Sequence, residues 1–252
     1  MRTDQIALQL YTVRELMARD LPGTIRQVAE AGYRAVELAG LPTIDPGSIA
    51  SLLRDAGLRV VAAHHTLEEV RADPGVLLDR LAALECSRLV LPSLPAVDRA
   101  SADAVRSVAA EIGRLAAIAA ARGVRLVYHN HAFEFEVLDG TTVWDVLIDE
   151  LPPDVELELD VYWATIGGRD PVELIDRHAD RIALLHMKDV SDTPSREDAA
   201  PGDGVLPWPR IVERAREAGV EWYIVEQDVP RDALIGIRRG LDYLGRLAEA
   251  GD

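Results

Sequence analysis

The chain has 252 residues, and its 43 acidic residues outnumber 27 lysines and arginines, giving a formal net charge of −16 at pH 7. A surface of that sign repels phosphate backbones and anionic membranes, so neither nucleic acid nor a membrane is an expected partner. Hydrophobic residues make up 48% of the chain, yet no apolar run reaches the roughly 18 residues of a membrane span. The amino-terminal segment carries charges too early for a secretory signal, and Cys86 is the only cysteine. A cytoplasmic protein without internal disulfides is therefore expected.

Short apolar runs alternate with longer amphipathic runs from one end of the chain to the other. The predicted strands are residues 6–10, 35–38, 58–63, 88–91, 124–128, 155–159, 182–186 and 222–225. The predicted helices are residues 21–31, 46–56, 74–84, 102–122, 142–149, 171–178, 208–218 and 231–250. Runs such as LRVVAA and RLVYH are apolar almost throughout, which is typical of parallel strands buried on both faces.

The repeat of these units predicts the fold class. Four predicted helices are followed by a glycine just before the next strand: Gly32, Gly57, Gly123 and Gly219. Glycine adopts the left-handed backbone that ends a helix, so these positions indicate βαβ units. Eight such units in about 250 residues predict a closed (β/α)₈ barrel, the TIM barrel, and not an open doubly wound sheet. No low-complexity linker divides residues 1–252, so one domain is expected.

Polar residues, most of them ionisable, gather where the predicted strands end, which is where (β/α)₈ barrels carry their catalytic groups. The residues at these positions are Gln9, Glu37, His64, His65, His129, His131, Asp160, His186 and Glu226. One such histidine alone is usually a structural hydrogen-bonding residue, but several beside carboxylates form a donor set for Mn²⁺, Zn²⁺, Co²⁺ or Fe²⁺. His178 lies in a predicted helix and is expected at the surface. The sequence has no GxGxxG, P-loop, GxSxG or HExxH motif.

A series of motifs resembles the xylose-isomerase-like barrels in order and spacing. The motifs are LQLYTVR, AVELAG, VAAHH, YHNHAFEF, LELDVYWA, LLHMKD, PGDGVLPW and YIVEQD, and they cover all eight units. This group contains sugar phosphate isomerases and epimerases, inosose dehydratase and, more distantly, endonuclease IV. The resemblance implies one divalent metal ion, with Mn²⁺ as first choice and Zn²⁺, Co²⁺, Fe²⁺ or Mg²⁺ as alternatives.

The resemblance also implies which residues hold that metal. Asp160, His186 and Glu226 match the family's ligand positions after strands six, seven and eight. After strand five the family's glutamate is replaced by His129. Either His129 binds the metal directly or Glu134 supplies the carboxylate, and we favour His129.

The implied chemistry is removal of a proton beside the carbonyl of a keto-sugar or keto-polyol, with the metal stabilising the enediolate. Glu134 and His131 are assigned to proton transfer, and Glu226 is counted among the catalytic residues as well as the ligands. Lys188 either polarises a substrate oxygen or pairs with Asp189. Substrate contacts are expected from Gln9, Glu37, His64 and Trp163, the last by stacking on a sugar face, whereas His65 packs.

An isomerase or epimerase is the expected activity. A dehydratase is the first alternative, because the strand-five glutamate that pairs with the strand-eight glutamate in the epimerases is absent. A sugar-binding barrel without catalysis is the alternative of another class. Endonuclease activity is disfavoured by the net charge and by Trp163, which stands where endonuclease IV carries a zinc-binding histidine. No arginine cluster marks the mouth, which favours an unphosphorylated substrate; a homo-oligomer is left open. Residues 191–204, after the seventh predicted strand, are interpreted as a flap.

Overall fold

A computed structural model describes residues 1–39 and 44–250, and a closed barrel of eight parallel strands lies at its centre. The strands are β1 (Ile6–Gln9), β2 (Ala35–Leu38), β3 (Arg59–His64), β4 (Arg88–Leu91), β5 (Arg125–His129), β6 (Glu156–Asp160), β7 (Ile182–Met187) and β8 (Trp222–Val225). Each strand pairs with its neighbours in chain order, and β8 pairs with β1 to close the ring. The predicted (β/α)₈ barrel is confirmed. Gly40, the last residue of the AVELAG motif, lies outside the described residues.

Helices surround this barrel. They are α1 (Arg14–Arg19), α2 (Leu21–Glu30), α3 (Pro46–Asp55), α4 (Leu67–Ala72), α5 (Pro74–Ala83), α6 (Ala102–Ala120), α7 (Val143–Glu150), α8 (Val161–Ile166), α9 (Pro171–Arg177), α10 (Trp208–Glu217) and α11 (Ala233–Ala250). The predicted helices match eight of these, with α1, α4 and α8 as additions. Gly57 and Gly123 have φ angles of 72° and 73°, which confirms the predicted helix ends. No helix in the described part of the chain is long and apolar enough to cross a membrane.

The interior of the barrel is layered from one end to the other. At the amino-terminal ends of the strands, Arg88 forms ion pairs with Glu156 at 3.0 Å and with Glu221 at 2.6 Å. A small apolar cluster fills the middle and consists of Ala7, Ala35, Val61, Ala62, Val90, Val127, Ala183, Leu184 and Ile224. Buried polar side chains occupy the carboxyl end. This layering separates the ion pairs of Arg88 at the amino-terminal end from the polar side chains at the carboxyl-terminal mouth, where the predicted site residues lie.

The connection after β7 is an anchored hairpin. Residues Asp189–Val190 pair with Asp198–Ala199 in an antiparallel arrangement. The buried carboxylate of Asp189 accepts hydrogen bonds from Gly202 N (2.9 Å), Gly204 N (3.1 Å) and Trp208 Nε1 (2.6 Å). The hairpin thus stands beside the mouth, where a flap was predicted, and its base is held by one buried carboxylate.

His178 is only partly at the surface. It follows α9 and is half-buried, because its ring packs against that of Trp144. Trp144 Nε1 donates a hydrogen bond to its Nε2 at 3.4 Å. The expectation of a surface histidine is corrected to a half-buried one that packs on a tryptophan.

Candidate metal centre

Four side chains converge at the carboxyl end of the barrel, and we call them the upper cluster: His129, Asp160, His186 and Glu226. Each offers one ligand atom, and these atoms lie within 4.8 Å of one another. All four residues are buried. The register pairs Asp160 at the end of β6 with His186 on β7, which places both side chains at the same height. The structure therefore brings together the four residues that the sequence assigned to a metal.

The chemistry of this cluster fits a divalent cation. His129 Nδ1 lies 3.2 Å from the carbonyl oxygen of Pro92, which can only accept, so Nδ1 carries a proton and Nε2 is the ring nitrogen that faces the cluster. That Nε2 is buried without a hydrogen-bond partner, 3.6 Å from Asp160 Oδ2. Asp160 Oδ2 also accepts no hydrogen bond. Buried acceptors that accept no hydrogen bond are costly unless cations lie near them; the ammonium group of Lys188 lies 3.1 Å from Asp160 Oδ2, and His129 Nε2 has no such partner. Two imidazoles with two carboxylates suit Zn²⁺, Mn²⁺, Co²⁺ or Fe²⁺.

Lys188, the only lysine of the chain, is buried beside this cluster. Its Nζ lies 2.8 Å from Glu226 Oε2, 3.1 Å from Asp160 Oδ2 and 2.9 Å from Asp228 Oδ2. The alternative pairing of Lys188 with Asp189 is wrong. Adjacent residues of an extended segment point to opposite sides, so Lys188 faces the barrel interior while Asp189 binds the hairpin.

The charges of this group support one another. Burial alone lowers the pKa of Lys188, but Asp160, Glu226 and Asp228 outweigh it and raise that pKa well above its usual value. Burial would raise the pKa of Glu226, but Lys188 and His186 outweigh it and hold that pKa well below its usual range. Lys188 is therefore an ammonium that neutralises part of a buried negative charge, and Glu226 is ionised.

A second group, which we call the lower cluster, lies on the other side of the His186 ring and consists of Glu37, His64 and Glu158. Together with His186 these residues also offer ligand atoms within 4.8 Å of one another. Glu37 and Glu158 are fully buried, and the His64 side chain is 10% exposed. Burial alone lowers the pKa of His64, but Glu37 and Glu158 outweigh it and raise it to about 10.

Three residues expected to contact substrate, Gln9, Glu37 and His64, lie in or against this lower cluster. Gln9 Nε2 donates to Glu37 Oε2 at 2.8 Å, and both residues are fully buried and do not line the mouth cavity described below. His64 does reach that cavity. Sequence reasoning missed Glu158. The signal was the spacing of LELD, because residues two apart on a strand share a face, and Asp160 already faced the interior.

A cavity of about 1040 Å³ opens above the upper cluster. Tyr11, Tyr162 and Trp163 supply an aromatic part of its wall, and the rings of Trp163 and His131 are 5.4 Å apart. Trp163 therefore stands where stacking on the apolar face of a sugar is available. Three arginines, Arg14, Arg80 and Arg231, also line this cavity, which the sequence did not indicate.

Of the two residues assigned to proton transfer, only His131 lines the cavity. Its ring centre is 5.0 Å from that of His129, and burial together with His129 lowers its pKa to about 3, so the imidazole is neutral. The buried carboxyl group of Glu134 instead accepts hydrogen bonds from Tyr128 Oη at 2.6 Å and His131 N at 2.8 Å. Burial raises the pKa of Glu134 to about 7. The structure does not bring Glu134 into either cluster.

The closed (β/α)₈ barrel, with a candidate metal centre at the carboxyl ends of its strands, defines the class of protein. The chain belongs to the xylose isomerase-like TIM barrel family, whose sequence model matches residues 25–247. The inosose dehydratase of Geobacillus kaustophilus is 27% identical over an alignment of 258 positions, which covers 83% of this chain and 83% of that protein. A crystal structure of a sugar phosphate isomerase/epimerase from Parabacteroides distasonis is 28% identical, with a TM-score of 0.83, and covers 96% of this chain and 93% of that one. A crystal structure of IolI protein with a zinc atom, 14% identical with a TM-score of 0.77 over 98% of both chains, shares the fold.

Proposed function

We propose that this protein is a divalent-metal-dependent enzyme that removes the proton beside the carbonyl group of a keto-sugar or keto-polyol. The observation that carries the proposal is the upper cluster, in which His129 Nε2 and Asp160 Oδ2 are buried, lack a hydrogen-bond partner and lie 3.6 Å apart beneath an open cavity. The similarity to an inosose dehydratase and to a sugar phosphate isomerase/epimerase supports the substrate class. The IolI structure shares the fold and contains a zinc atom, which is a further reason to test this protein for a bound metal.

In this proposal the upper cluster holds the metal, and Mn²⁺ and Zn²⁺ are the ions to test first. A metal held there would act as a Lewis acid for negative charge that develops on the substrate oxygens. His131 lies at the cavity wall as a neutral imidazole, and it accepts the proton from the carbon atom beside the carbonyl group. Lys188 holds the carboxylates of Asp160 and Glu226 in place, and Trp163 orients the substrate by stacking.

Isomerisation or epimerisation and elimination of water all begin with this proton abstraction, and two features favour elimination. The first is His129 at strand five, where the resemblance implies a second carboxylate base for epimerases. The second is Asp228, which sequence reasoning did not single out and which lines the cavity. Asp228 Oδ2 lies 2.9 Å from Lys188 Nζ at the cavity wall, and this position makes Asp228 a candidate for passing a proton from Lys188 to a leaving hydroxyl group.

The test is incubation of the Mn²⁺- or Zn²⁺-loaded protein with an inosose, a cyclic keto-polyol, in D₂O. We expect deuterium to enter the position next to the carbonyl, and elimination to appear as loss of one water by mass spectrometry. The variant Asp160→Asn should lose both the bound metal and the exchange. Glu173→Gln, at an exposed carboxylate on α9, should keep both. Metal uptake without exchange of any keto-sugar would move the protein to the class of sugar-binding barrels.

A further inference from the structure

His186 lies between the two clusters and presents one ring nitrogen to each. Its Nδ1 is 2.8 Å from Glu226 Oε2 and 3.8 Å from Asp160 Oδ2 in the upper cluster. Its Nε2 is 2.7 Å from Glu37 Oε2 and 3.2 Å from Glu158 Oε2 in the lower cluster. An imidazole that binds a metal through one nitrogen must hold its proton on the other, so these contacts bear on which nitrogen is the ligand.

We propose that Glu37 and Glu158 are positioning residues that keep the His186 proton on Nε2, so that Nδ1 is the atom offered to the metal. This inference rests on the proposed function, because it takes the upper cluster as the metal site. In this role the lower cluster neither contacts substrate nor binds the metal directly; it orients a residue that does bind the metal.

The first support is the chemistry of the Nε2 side. Glu37 and Glu158 are acceptors when ionised, and both are 0% exposed, so no bulk water reaches them. A lone pair on Nε2 would face two carboxylate oxygens without a proton between them, which is repulsive in a buried place. A proton on Nε2 instead donates to Glu37 Oε2 at 2.7 Å. The Nδ1 side differs, because a divalent cation held there by Asp160 and Glu226 would neutralise both carboxylates and would accept the Nδ1 lone pair.

The second support is that the two carboxylates are themselves held. His64 Nε2 lies 2.9 Å from Glu158 Oε2 and 3.3 Å from Glu37 Oε2. The His64 ring is stacked on that of His186, with centres 5.4 Å apart and planes within 6°. Gln9 Nε2 donates to Glu37 Oε2 at 2.8 Å. These contacts fix both carboxylates below the ring, and they explain why Gln9 and Glu37, which were expected to contact substrate, are buried instead.

The third support is the strand register. Glu158 and Asp160 lie two residues apart on β6, so they face the same interior at successive heights. Asp160 is paired with His186 across β6 and β7, whereas Glu158 is paired with Leu184, one layer lower. The strand that supplies a ligand beside Nδ1 therefore also supplies a carboxylate beside Nε2. Carboxylates that orient a metal-bound histidine in this way typically contribute 10–100-fold to metal affinity.

The experiment measures Zn²⁺ affinity by chelator competition in the wild type, Glu37→Gln, Glu158→Gln and the double variant. An amide can donate its NH₂ to an unprotonated Nε2, so these variants remove the preference for one tautomer while keeping the shape. We expect each single variant to bind Zn²⁺ roughly 10–100-fold more weakly, and the double variant to be weaker still. Glu156→Gln is the matched control: it lies on β6 too, but it pairs with Arg88 at the opposite end and should keep wild-type affinity.

A second readout identifies the ligand atom. In protein labelled with ¹⁵N-histidine and loaded with ¹¹³Cd²⁺, we expect a cadmium–nitrogen coupling to His186 Nδ1 and a proton on Nε2. Coupling to Nε2, or unchanged Zn²⁺ affinity in the double variant, would overturn the assignment. Two metal ions per wild-type chain, with one lost in the double variant, would also overturn it, because the lower cluster would then be a second metal site.

The two proposals fail in different ways. A wild type that takes up no Zn²⁺, Mn²⁺ or Cd²⁺ removes the proposed function and this inference together. A wild type that binds metal through Nδ1 but exchanges no keto-sugar hydrogen leaves this inference standing without the activity. Melting temperatures of the metal-free variants show whether a weaker affinity comes from misfolding, since the double variant should unfold cooperatively like the wild type.

Discussion

Asn130 and Asp160 are joined by two buried hydrogen bonds, one in each direction. Asn130 Oδ1 accepts from Asp160 N at 2.9 Å, and Asn130 Nδ2 donates to Asp160 O at 3.3 Å. The backbone pairing of β5 with β6 ends at His129 and Glu158. The side chain of Asn130 therefore continues the pairing beyond the last backbone pair, and it sets the height at which Asp160 faces the upper cluster.

This relationship predicts that Asn130→Asp is more damaging than Asn130→Ala. The aspartate cannot donate to Asp160 O, and it adds a negative charge next to buried carboxylates. We expect the free energy of unfolding of the metal-free protein to fall by about 1–3 kcal/mol in the alanine variant and by more in the aspartate variant. Urea unfolding measures both. Equal stability of the aspartate variant and the wild type would show that the amide does not hold Asp160.

The barrel could be predicted from the sequence because its signals are local and repeated. Buried strands are apolar throughout, and helix ends carry glycine. The helices α1, α4 and α8 were missed because each has six residues, too few for an amphipathic period to show. Their signals were at the ends: Thr66 and Glu69 form a capping box for α4, and Asp160 accepts from Trp163 N at the start of α8.

The site was harder to predict than the fold, because strand order does not give the depth of a side chain. Glu37 and His64 both end strands, yet Glu37 lies beneath His186 and only His64 reaches the cavity. Glu134 follows β5 closely, but the turn after β5 directs its carboxyl group to Tyr128 and the His131 backbone. Depth and direction depend on tertiary packing, which a pattern of residues does not contain.

The contacts of Lys188 predict that the thermal stability of the protein is linked to metal binding. In Lys188→Met the carboxylates of Asp160, Glu226 and Asp228 lose their buried cation, and breaking such a group costs about 3–5 kcal/mol. We expect Zn²⁺ to raise the melting temperature of this variant more than that of the wild type, because the ion replaces the missing positive charge. Arg14→Met is the control, since Arg14 donates to the backbone carbonyls of Tyr11 and Asp228. An equal Zn²⁺ effect on both variants would contradict the linkage.

Glu134 predicts a pH dependence of stability. Burial raises its pKa from 4.5 to about 7 in the folded protein, although hydrogen bonds from Tyr128 and the His131 backbone oppose the shift. Between these values the folded state binds more protons than the unfolded state, so stability falls as pH rises through the window. Relative to Glu134→Gln, the wild type should lose at most about 1.4 kcal/mol per pH unit there, with no further change above about 7.

Urea unfolding of the two proteins across that window is the measurement. Glu136→Gln is the control, because Glu136 is exposed two residues along the chain and should follow the wild-type profile. A constant difference between the wild type and Glu134→Gln at all these pH values would mean that Glu134 is ionised throughout.

Asp189 predicts that the hairpin at the mouth depends on one carboxylate. Its oxygens accept from Gly202 N, Gly204 N, Leu206 N and Trp208 Nε1 at 2.6–3.1 Å. In Asp189→Ala these buried donors lose their acceptor, at a cost of about 1–3 kcal/mol for each donor that finds no water. We expect trypsin to cleave after the exposed Arg196 at least several-fold faster in this variant, while the barrel stays folded.

Asp192→Ala is the matched control, since Asp192 lies in the same hairpin and is exposed. It should keep the wild-type cleavage rate, because it has no part in the contacts at the base. Cleavage at Arg196 that is equally fast in the wild type and in Asp189→Ala would mean that the hairpin opens without releasing its base. In that case the flap predicted from the sequence would move at its tip, and Asp189 would serve only to start α10 in the right place.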